Sequence, residues 1–298
     1  MSEIERNRTQ PDDDATTATV RATAPARRAP APGAPGGAAT SRSLLARHRG
    51  LIALTGREIA RVTKLWQQTI AAPIVSSYLF ILVFGLSLGR RISGIDGVDY
   101  DVYIVPGLVT MAMVQAAYVN NSTSVFQARF DRYINDVLAS PMRGWEVNLG
   151  LSLGGAVRAL LIGLALVLLS LPVTSVPVHD PLVLAVAVAL ALVIFSSLGV
   201  IVGIYAQSWD HASFVQNIVI VPLSFLGGTF YSVDSLPAPW EQLSHANPLF
   251  FVINAVRYGF LGVSDASVAL SLGVMAVLAA AMVAWSSWLF ATGRKLKA

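Results

Sequence analysis

Pro181–Trp209 reads PLVLAVAVALALVIFSSLGVIVGIYAQSW, and no Asp, Glu, Lys or Arg interrupts it. An α-helix rises 1.5 Å per residue, so roughly 20 apolar residues cross the ~30 Å hydrocarbon core of a bilayer. This stretch is longer than that. Five further windows free of the same four residue types lie at 65–89, 102–128, 159–179, 211–233 and 266–293, each long enough to span. The third helix starts ahead of its window, near Val147, and carries Arg158 in its cytoplasmic-side part. The expected fold is an all-α polytopic membrane protein with six transmembrane helices, their cores near 71–89, 103–124, 147–171, 182–206, 213–230 and 267–290.

Composition supports a lipid environment. Apolar residues make up 54% of the 298 positions and charged residues 13%, against roughly 25% charged in an average soluble domain. A soluble domain of this size has no interior for so much apolar surface. There is no cysteine, which excludes disulfides, thiolate metal sites and cysteine nucleophiles. The net charge of +4 does not point to nucleic acid, because Lys and Arg stand at the ends of the apolar runs and leave no basic face.

Basic residues in short flanks set orientation. Arg42, Arg47, Arg49, Arg57, Arg61 and Lys64 precede the first span. Arg129, Arg132 and Arg143 separate the second from the third, and Arg294, Lys295 and Lys297 follow the sixth. An even number of spans puts all three groups on one side, the cytoplasm, with both termini. The other side carries Arg90, Arg91 and Arg257 among Asp96, Asp99, Asp101, Asp180, Asp234, Glu241 and Asp265.

Four segments flank or join the spans. Residues 1–43 hold Pro11, Pro25, Pro30, Pro32, Pro35 and the acidic run Asp12–Asp14, and no aromatic. The expectation is a disordered cytoplasmic tail, since its burial cannot offset the entropy of ordering. Residues 44–69 mix Leu51, Leu54, Ile59, Val62 and Trp66 at helical spacing with Arg57, Arg61 and Lys64, as in an amphipathic helix lying in the membrane interface. The cytoplasmic link 125–146 places Phe126, Phe130, Tyr133, Ile134, Val137 and Leu138 at helical spacing, and Pro141 stops the helix. The outer link 231–265 contains Pro237, Pro239 and Pro248 among bulky apolar residues, and its charge-free piece 242–256 is too short to span. Broken helices re-entering the outer leaflet fit it better than a lipid-facing seventh span.

No catalytic set emerges. His48, His179, His211 and His245 are scattered without metal-ligand spacing, so no metal is expected. A P-loop is absent, and Asp234 and Glu241 read as residues that shape their loop. The spans do carry uncharged polar groups, among them Gln115, Asn120, Asn121, Gln216 and Asn217. Such groups bond across helices or line a pathway. Arg158 is expected to reach the cytoplasmic interface or pair with the link 125–146.

The run Gly227-Gly228-Thr229-Phe230-Tyr231-Ser232, then Leu236-Pro237, Trp240, Leu243-Ser244 and Asn247-Pro248, ending at Arg257, resembles the signature region of type-2 ABC export permeases. Within that family it looks most like the membrane subunits of daunorubicin-type drug exporters. Asp136-Val137-Leu138-Ala139-Ser140-Pro141 is similar to the family's first cytoplasmic loop. The resemblance covers about 45–295. It implies a permease in the bacterial inner (cytoplasmic) membrane, working as a homodimer with a separate cytoplasmic ABC ATPase subunit. That partner would bind ATP and Mg, leaving this chain without cofactor or catalytic residue. The cargo implied is an amphipathic or lipid-like molecule moved outward by alternating access.

The same resemblance makes 125–142 a coupling helix that meets the ATPase through Phe130, Tyr133, Val137, Leu138, Ser140 and Pro141. It makes the outer link a pair of re-entrant helices that cap the pathway, as a gate or as a passive seal, containing Gly227, Gly228, Phe230, Tyr231, Pro237, Trp240, Asn247, Pro248 and Arg257. Three rival readings stand beside this one. They are a permease for a lipid-linked polysaccharide or teichoic-acid-type precursor, a non-transporting accessory membrane subunit, and a lipid-modifying enzyme, for which no polar cluster is visible.

Overall fold

The computed structural model describes residues 38–89, 91 and 94–296, with side-chain surroundings from residue 49 onward. Residues 1–37, which hold most of the expected tail, lie outside the described residues. The described chain is helical and contains no strand, its one β-bridge joining Ile95 and Val98.

The first helix, α1 (Ala38–Lys64), begins inside the segment expected as tail. One face is buried at Leu54, Glu58 and Val62, while Ile52 is exposed; Trp66, which the spacing puts on the apolar stripe, lies beyond the helix end and is exposed. A π-helical turn, Gln67–Ala71, leads into α2 (Ala72–Leu88). There follow α3 (Tyr100–Phe130), the short α4 (Ile134–Ala139), α5 (Gly144–Ser170) and α6 (Pro181–Tyr205). Asp180 caps α6 by accepting from the Leu182 and Val183 N–H groups at 3.0 and 3.1 Å.

Among the described residues five helices are long and apolar enough to cross a membrane: Gln67–Leu88, α3, α5, α6 and α11 (Val268–Thr292). The stretch expected as the fifth of six spans is continuously helical over 209–226 but less apolar, with a π-helical segment in its middle. It consists of α7 (Trp209–Phe214), a π-helical segment Val215–Ile220 and α8 (Val221–Leu226), each six residues long. Asp210, His211, Gln216 and Asn217 dilute its apolar character, Pro222 removes a backbone donor, and Gly227 ends it.

The link after α3 also departs from expectation. No single helix covers 125–142. Val125, Phe126 and Ala128 are buried and prolong α3 to Phe130, so α3 is 31 residues long, or about 46 Å. The cause is packing: Val125 and Ala128 share an apolar cluster with Val200, Ile201 and Ile204 at the end of α6. Arg129 Nη1 donates to the Gly203 and Ala206 carbonyls at 3.1 and 2.9 Å, satisfying the last turn of α6. The chain breaks at Arg132, whose φ is +63°, and the remaining helix, α4, has six residues.

On the outer link, α9 (Ala238–His245) and α10 (Pro248–Leu261) are separate helices broken at Ala246–Asn247. The 14 residues of α10 span only about 21 Å. Its Leu249, Val252, Ile253 and Val256 are buried against the bundle, which excludes a lipid-facing seventh span.

The centre of the bundle is α3. Of its most apolar window, 78% is buried, against 11% for Gln67–Leu88. Ile104, Leu108 and Tyr118 of α3 meet Ile162 and Leu166 of α5, Phe195 of α6 and Val256 of α10. Glycines let α6 come close: a Cβ on Gly199 would stand 2.5 Å from the Tyr118 carbonyl oxygen, and one on Gly203 2.7 Å from that of Ser122. Small residues one turn apart allow backbones to touch in this way. By contrast, α2 exposes Val75, Leu79, Val83 and Leu86.

Candidate functional site: a polar cavity inside the apolar bundle

A cavity of about 380 Å³ lies between α2, α3, α5 and the helix α7–α8, and opens at the surface where Gln68, Ser76, Phe80 and Phe225 are exposed. Its polar lining comes from Gln68, Ser76, Ser77, Gln115, Arg158 and Gln216. Phe80, Phe225 and Phe230 supply an aromatic wall. Phe225 and Phe230 stack at 5.4 Å between ring centroids, and Phe84 lies 4.9 Å from Phe230 behind them.

Both π-helical segments contribute to the lining, through Gln68 and Gln216. A π turn displaces the regular hydrogen-bond ladder and recurs at functional sites. Here the Thr69 carbonyl, inside the first such turn, accepts from Arg158 Nε at 2.8 Å. Arg158 therefore bonds to the junction between α1 and α2; of the two expectations for it, pairing with the link 125–146 is not met. It is 8% exposed, and among the described residues no carboxylate lies within ion-pair distance of it. Across the cavity Gln216 Nε2 donates to Gln115 Oε1 at 3.4 Å.

A polar network flanks the cavity on the side of α1. Glu58 is 1% exposed. It accepts from Ser124 Oγ of α3 at 2.8 Å and from Arg61 Nη2 at 2.8 Å, with Arg57 Nη2 at 3.2 Å. Arg61 also reaches the Asn120 carbonyl and side chain at 3.1 and 3.2 Å. Asn120 donates to Asn121 at 3.2 Å, and Asn121 donates to the Ser196 carbonyl of α6 at 3.1 Å. The Arg57 guanidinium stacks over the Tyr133 ring, 4.8 Å from its centroid. Burial raises the Tyr133 hydroxyl pKa, the Arg57 charge opposing it. A groove between α1 and the start of α4, lined by Arg61, Lys64, Gln127, Tyr133 and Asp136, lies over this network.

A second network closes the opposite end. Gly228 adopts φ +84°, open to glycine, and a Cβ there would meet Val233 Cγ2 at 3.0 Å. Its carbonyl accepts from Arg257 Nη2. Arg257 is 1% exposed, lies over the Tyr103 ring of α3 at 4.2 Å, and pairs with Asp265 at 3.7 Å. Asp265 in turn accepts from Ser232 Oγ at 3.0 Å and from Val233 N–H at 2.8 Å. Asn247 accepts from the Leu249 N–H at 2.9 Å, capping α10, and donates to the Leu223 carbonyl at 2.6 Å. Ser244 Oγ donates to the Leu226 carbonyl at 2.9 Å. The end of α8, the outer link and the start of α11 are thereby held as one unit.

The residues singled out from sequence fall into these places. Gln115 and Gln216 face the cavity, Asn120 and Asn121 belong to the network with Glu58, and Asn217 is exposed elsewhere. Phe130 and Pro141 are exposed, and Tyr133, Val137, Leu138 and Ser140 are half-buried around α4. Of the outer residues, Gly227, Gly228, Asn247 and Arg257 are buried, Phe230 and Tyr231 half-buried, and Pro237, Trp240 and Pro248 exposed. Sequence reading passed over Glu58, Tyr103 and the pairing of Asp265. It also left His245 apart from Asp234 and Glu241, though the ligating atoms of all three lie within 4.8 Å of one another. Burial, then the Asp265 charge, raises the Asp234 carboxyl pKa.

Comparison with known proteins gives consistent results. Residues 49–261 match the ABC-2 type transporter family. The chain is 36% identical over 249 residues to the inner membrane transport permease YadH of Escherichia coli (strain K12), covering 83% of this chain and 96% of the relative. It is also similar to nodulation protein J of Rhizobium leguminosarum bv. viciae, 28% identical over 209 residues, 70% of this chain and 79% of the relative. The corresponding protein of Sinorhizobium fredii (strain NBRC 101917 / NGR234) is 29% identical over 211 residues, again 70% and 79%.

Proposed function

Because this chain belongs to the ABC-2 type transporter family, we propose that it is the permease subunit of an ATP-driven exporter in a bacterial inner membrane. The observation that carries the reading is the cavity. A space lined by a buried cation, two facing amides and an aromatic wall is costly inside apolar helices, and cargo that is polar at one end and apolar at the other fits it.

On this reading the helix Trp209–Leu226 is the fifth of six spans, and both termini are cytoplasmic. ATP is hydrolysed on a separate ABC ATPase subunit, which docks where α4 and the groove beside Arg61 and Tyr133 meet the cytoplasm. Closure of the ATPase pair pulls on α4. The pull passes through Arg57, Glu58 and Arg61 to α3, which walls the cavity. At the far side, the unit held by Arg257 and Asp265 gates the outer mouth. The weak burial of Gln67–Leu88 and its exposed Val75, Leu79 and Val83 support a second copy or lipid against that helix.

The test joins partner and activity. The tagged full chain, purified from its own membrane, should carry an ABC ATPase with it. Reconstituted vesicles should then accumulate a fluorescent amphiphile only with ATP. A chain that brings down no ATPase, or vesicles whose uptake ignores ATP, would leave an accessory membrane subunit as the better account.

A further inference from the structure

We propose that the cavity recognises the anionic head, phosphate or carboxylate, of an amphiphile, with Arg158 as the charge that selects it. The inference rests on the reading of the cavity as the place where cargo sits, and it specifies the chemistry of that cargo.

Arg158 projects from α5 in the middle of an apolar stretch, Val157 to Leu161. A cation at such depth costs about 3 kcal/mol on insertion scales and persists where it pairs or serves a pathway. Among the described residues, Arg158 makes one hydrogen bond, from Nε to the Thr69 carbonyl. That bond orients the guanidinium and leaves its two terminal nitrogens without a protein acceptor. Neither is among the buried polar atoms shut away without a partner, and the side chain lines the cavity. The charge that bears on it is Arg61, another cation. Arg61 has its counterion in Glu58; Arg158, among the described residues, has none within ion-pair distance.

A guanidinium fork matches phosphate or carboxylate by two parallel hydrogen bonds. Gln115 and Gln216 stand ready to bond the remaining head-group oxygens, and Ser76 and Ser77 add hydroxyls. Phe80, Phe225 and Phe230 then take the first part of the apolar body. A volume of about 380 Å³ lies in the range of small-molecule sites, ~300–1,000 Å³. A cationic amphiphile fits the aromatic wall but meets Arg158 with like charge.

The test is isothermal titration of the purified full chain in dodecyl maltoside, a neutral detergent. The probes are dodecyl phosphate, dodecyltrimethylammonium and inorganic phosphate. Dodecyl phosphate should bind saturably, and Arg158→Gln should weaken it about tenfold or more, the loss expected for a charge-assisted hydrogen bond. Arg158→Lys should restore most of the affinity. The double variant Gln115→Leu, Gln216→Leu keeps the Thr69 contact and should also bind more weakly. Equal binding of dodecyl phosphate to wild type and Arg158→Gln, or equal binding of the cationic probe, would overturn the proposal. Inorganic phosphate binding as tightly as dodecyl phosphate would assign a soluble anion and overturn the amphiphile. No ATPase or ATP enters the titration. A failure of ATP-driven export therefore leaves the binding result standing, and a chain that exports but shows no anion preference refutes the head-group assignment alone.

Discussion

Ser124 of α3 donates its hydroxyl to the carboxylate of Glu58 on α1 at 2.8 Å, across 66 residues of chain. The same carboxylate neutralises Arg61, which grips the Asn120 carbonyl one turn earlier on α3. A helix that precedes the first long apolar segment is thus bonded to the most buried helix of the bundle. Glu58→Ala removes a buried partner and leaves Arg61 uncompensated, at a cost on the order of 3 kcal/mol. Glu58→Gln keeps the Ser124 contact and should cost less. Thermal unfolding of the detergent-solubilised chain measures both, and an unchanged melting temperature in Glu58→Ala would refute the structural weight given to the network.

Coupling is expected to pass through α4 and its neighbours. Tyr133 lies under Arg57, and Leu138 packs toward the cluster that contains Val147 and Phe290. Tyr133→Ala and Leu138→Ala should leave insertion and assembly intact while uncoupling ATP hydrolysis from transport. The readout is cargo moved per ATP hydrolysed by the assembled complex. Wild-type ratios in both variants would remove α4 from the coupling route.

At the outer end, Arg257→Gln breaks the buried pair with Asp265 and frees the Gly228 carbonyl, and should cost about 3 kcal/mol. Gly228→Leu forces a side chain onto φ +84°, which costs about 1–2 kcal/mol before any clash. Asn247→Ala removes a helix cap, worth ~1 kcal/mol, and the bond to Leu223. If the unit is a gate, Asn247→Ala should raise the leak of a preloaded amphiphile from vesicles without ATP. Leak at the wild-type level in a normally assembled Asn247→Ala complex would make the unit a passive seal.

Orientation is open to a direct check, because the chain has no native cysteine. Ser140→Cys should resist an impermeant thiol reagent in intact cells, and the exposed Ser235→Cys should react. The reverse pattern would invert the topology.

Much of this fold is legible in the sequence, for a reason particular to membranes. A lipid-crossing helix carries little charge over about 20 residues, so Gln67–Leu88, α3, α6 and α11 stand out as charge-free windows, while α5 begins well ahead of its window and keeps Arg158 inside it. Where packing decides instead, the sequence is silent. Nothing in Val125–Phe130 distinguishes the last turns of α3 from the start of an amphipathic loop helix; only the facing Val200 and Ile204 do. Glu58, set between Arg57 and Arg61, reads as one charge on a solvated face. Its burial depends on Gly154, where a Cβ would stand 2.4 Å from that of Glu58. Arg158 was visible as a charge in a span, but its partner is a backbone carbonyl in a π turn, which no side-chain pattern announces. Asp234, Glu241 and His245 converge only because a 3-10 turn, Val233–Ser235, folds back beside α9.

The central claim is that the cavity between α2, α3, α5 and α8 is opened alternately to the two sides of the membrane. Gln115→Cys places a single thiol on its wall, in the chain assembled with its ATPase in sealed vesicles. Without nucleotide, the thiol should react with an impermeant reagent supplied on the cytoplasmic side alone. With ATP and vanadate it should react from the outer side alone. Reaction from the same side in both states, or from neither side in either, would contradict the account.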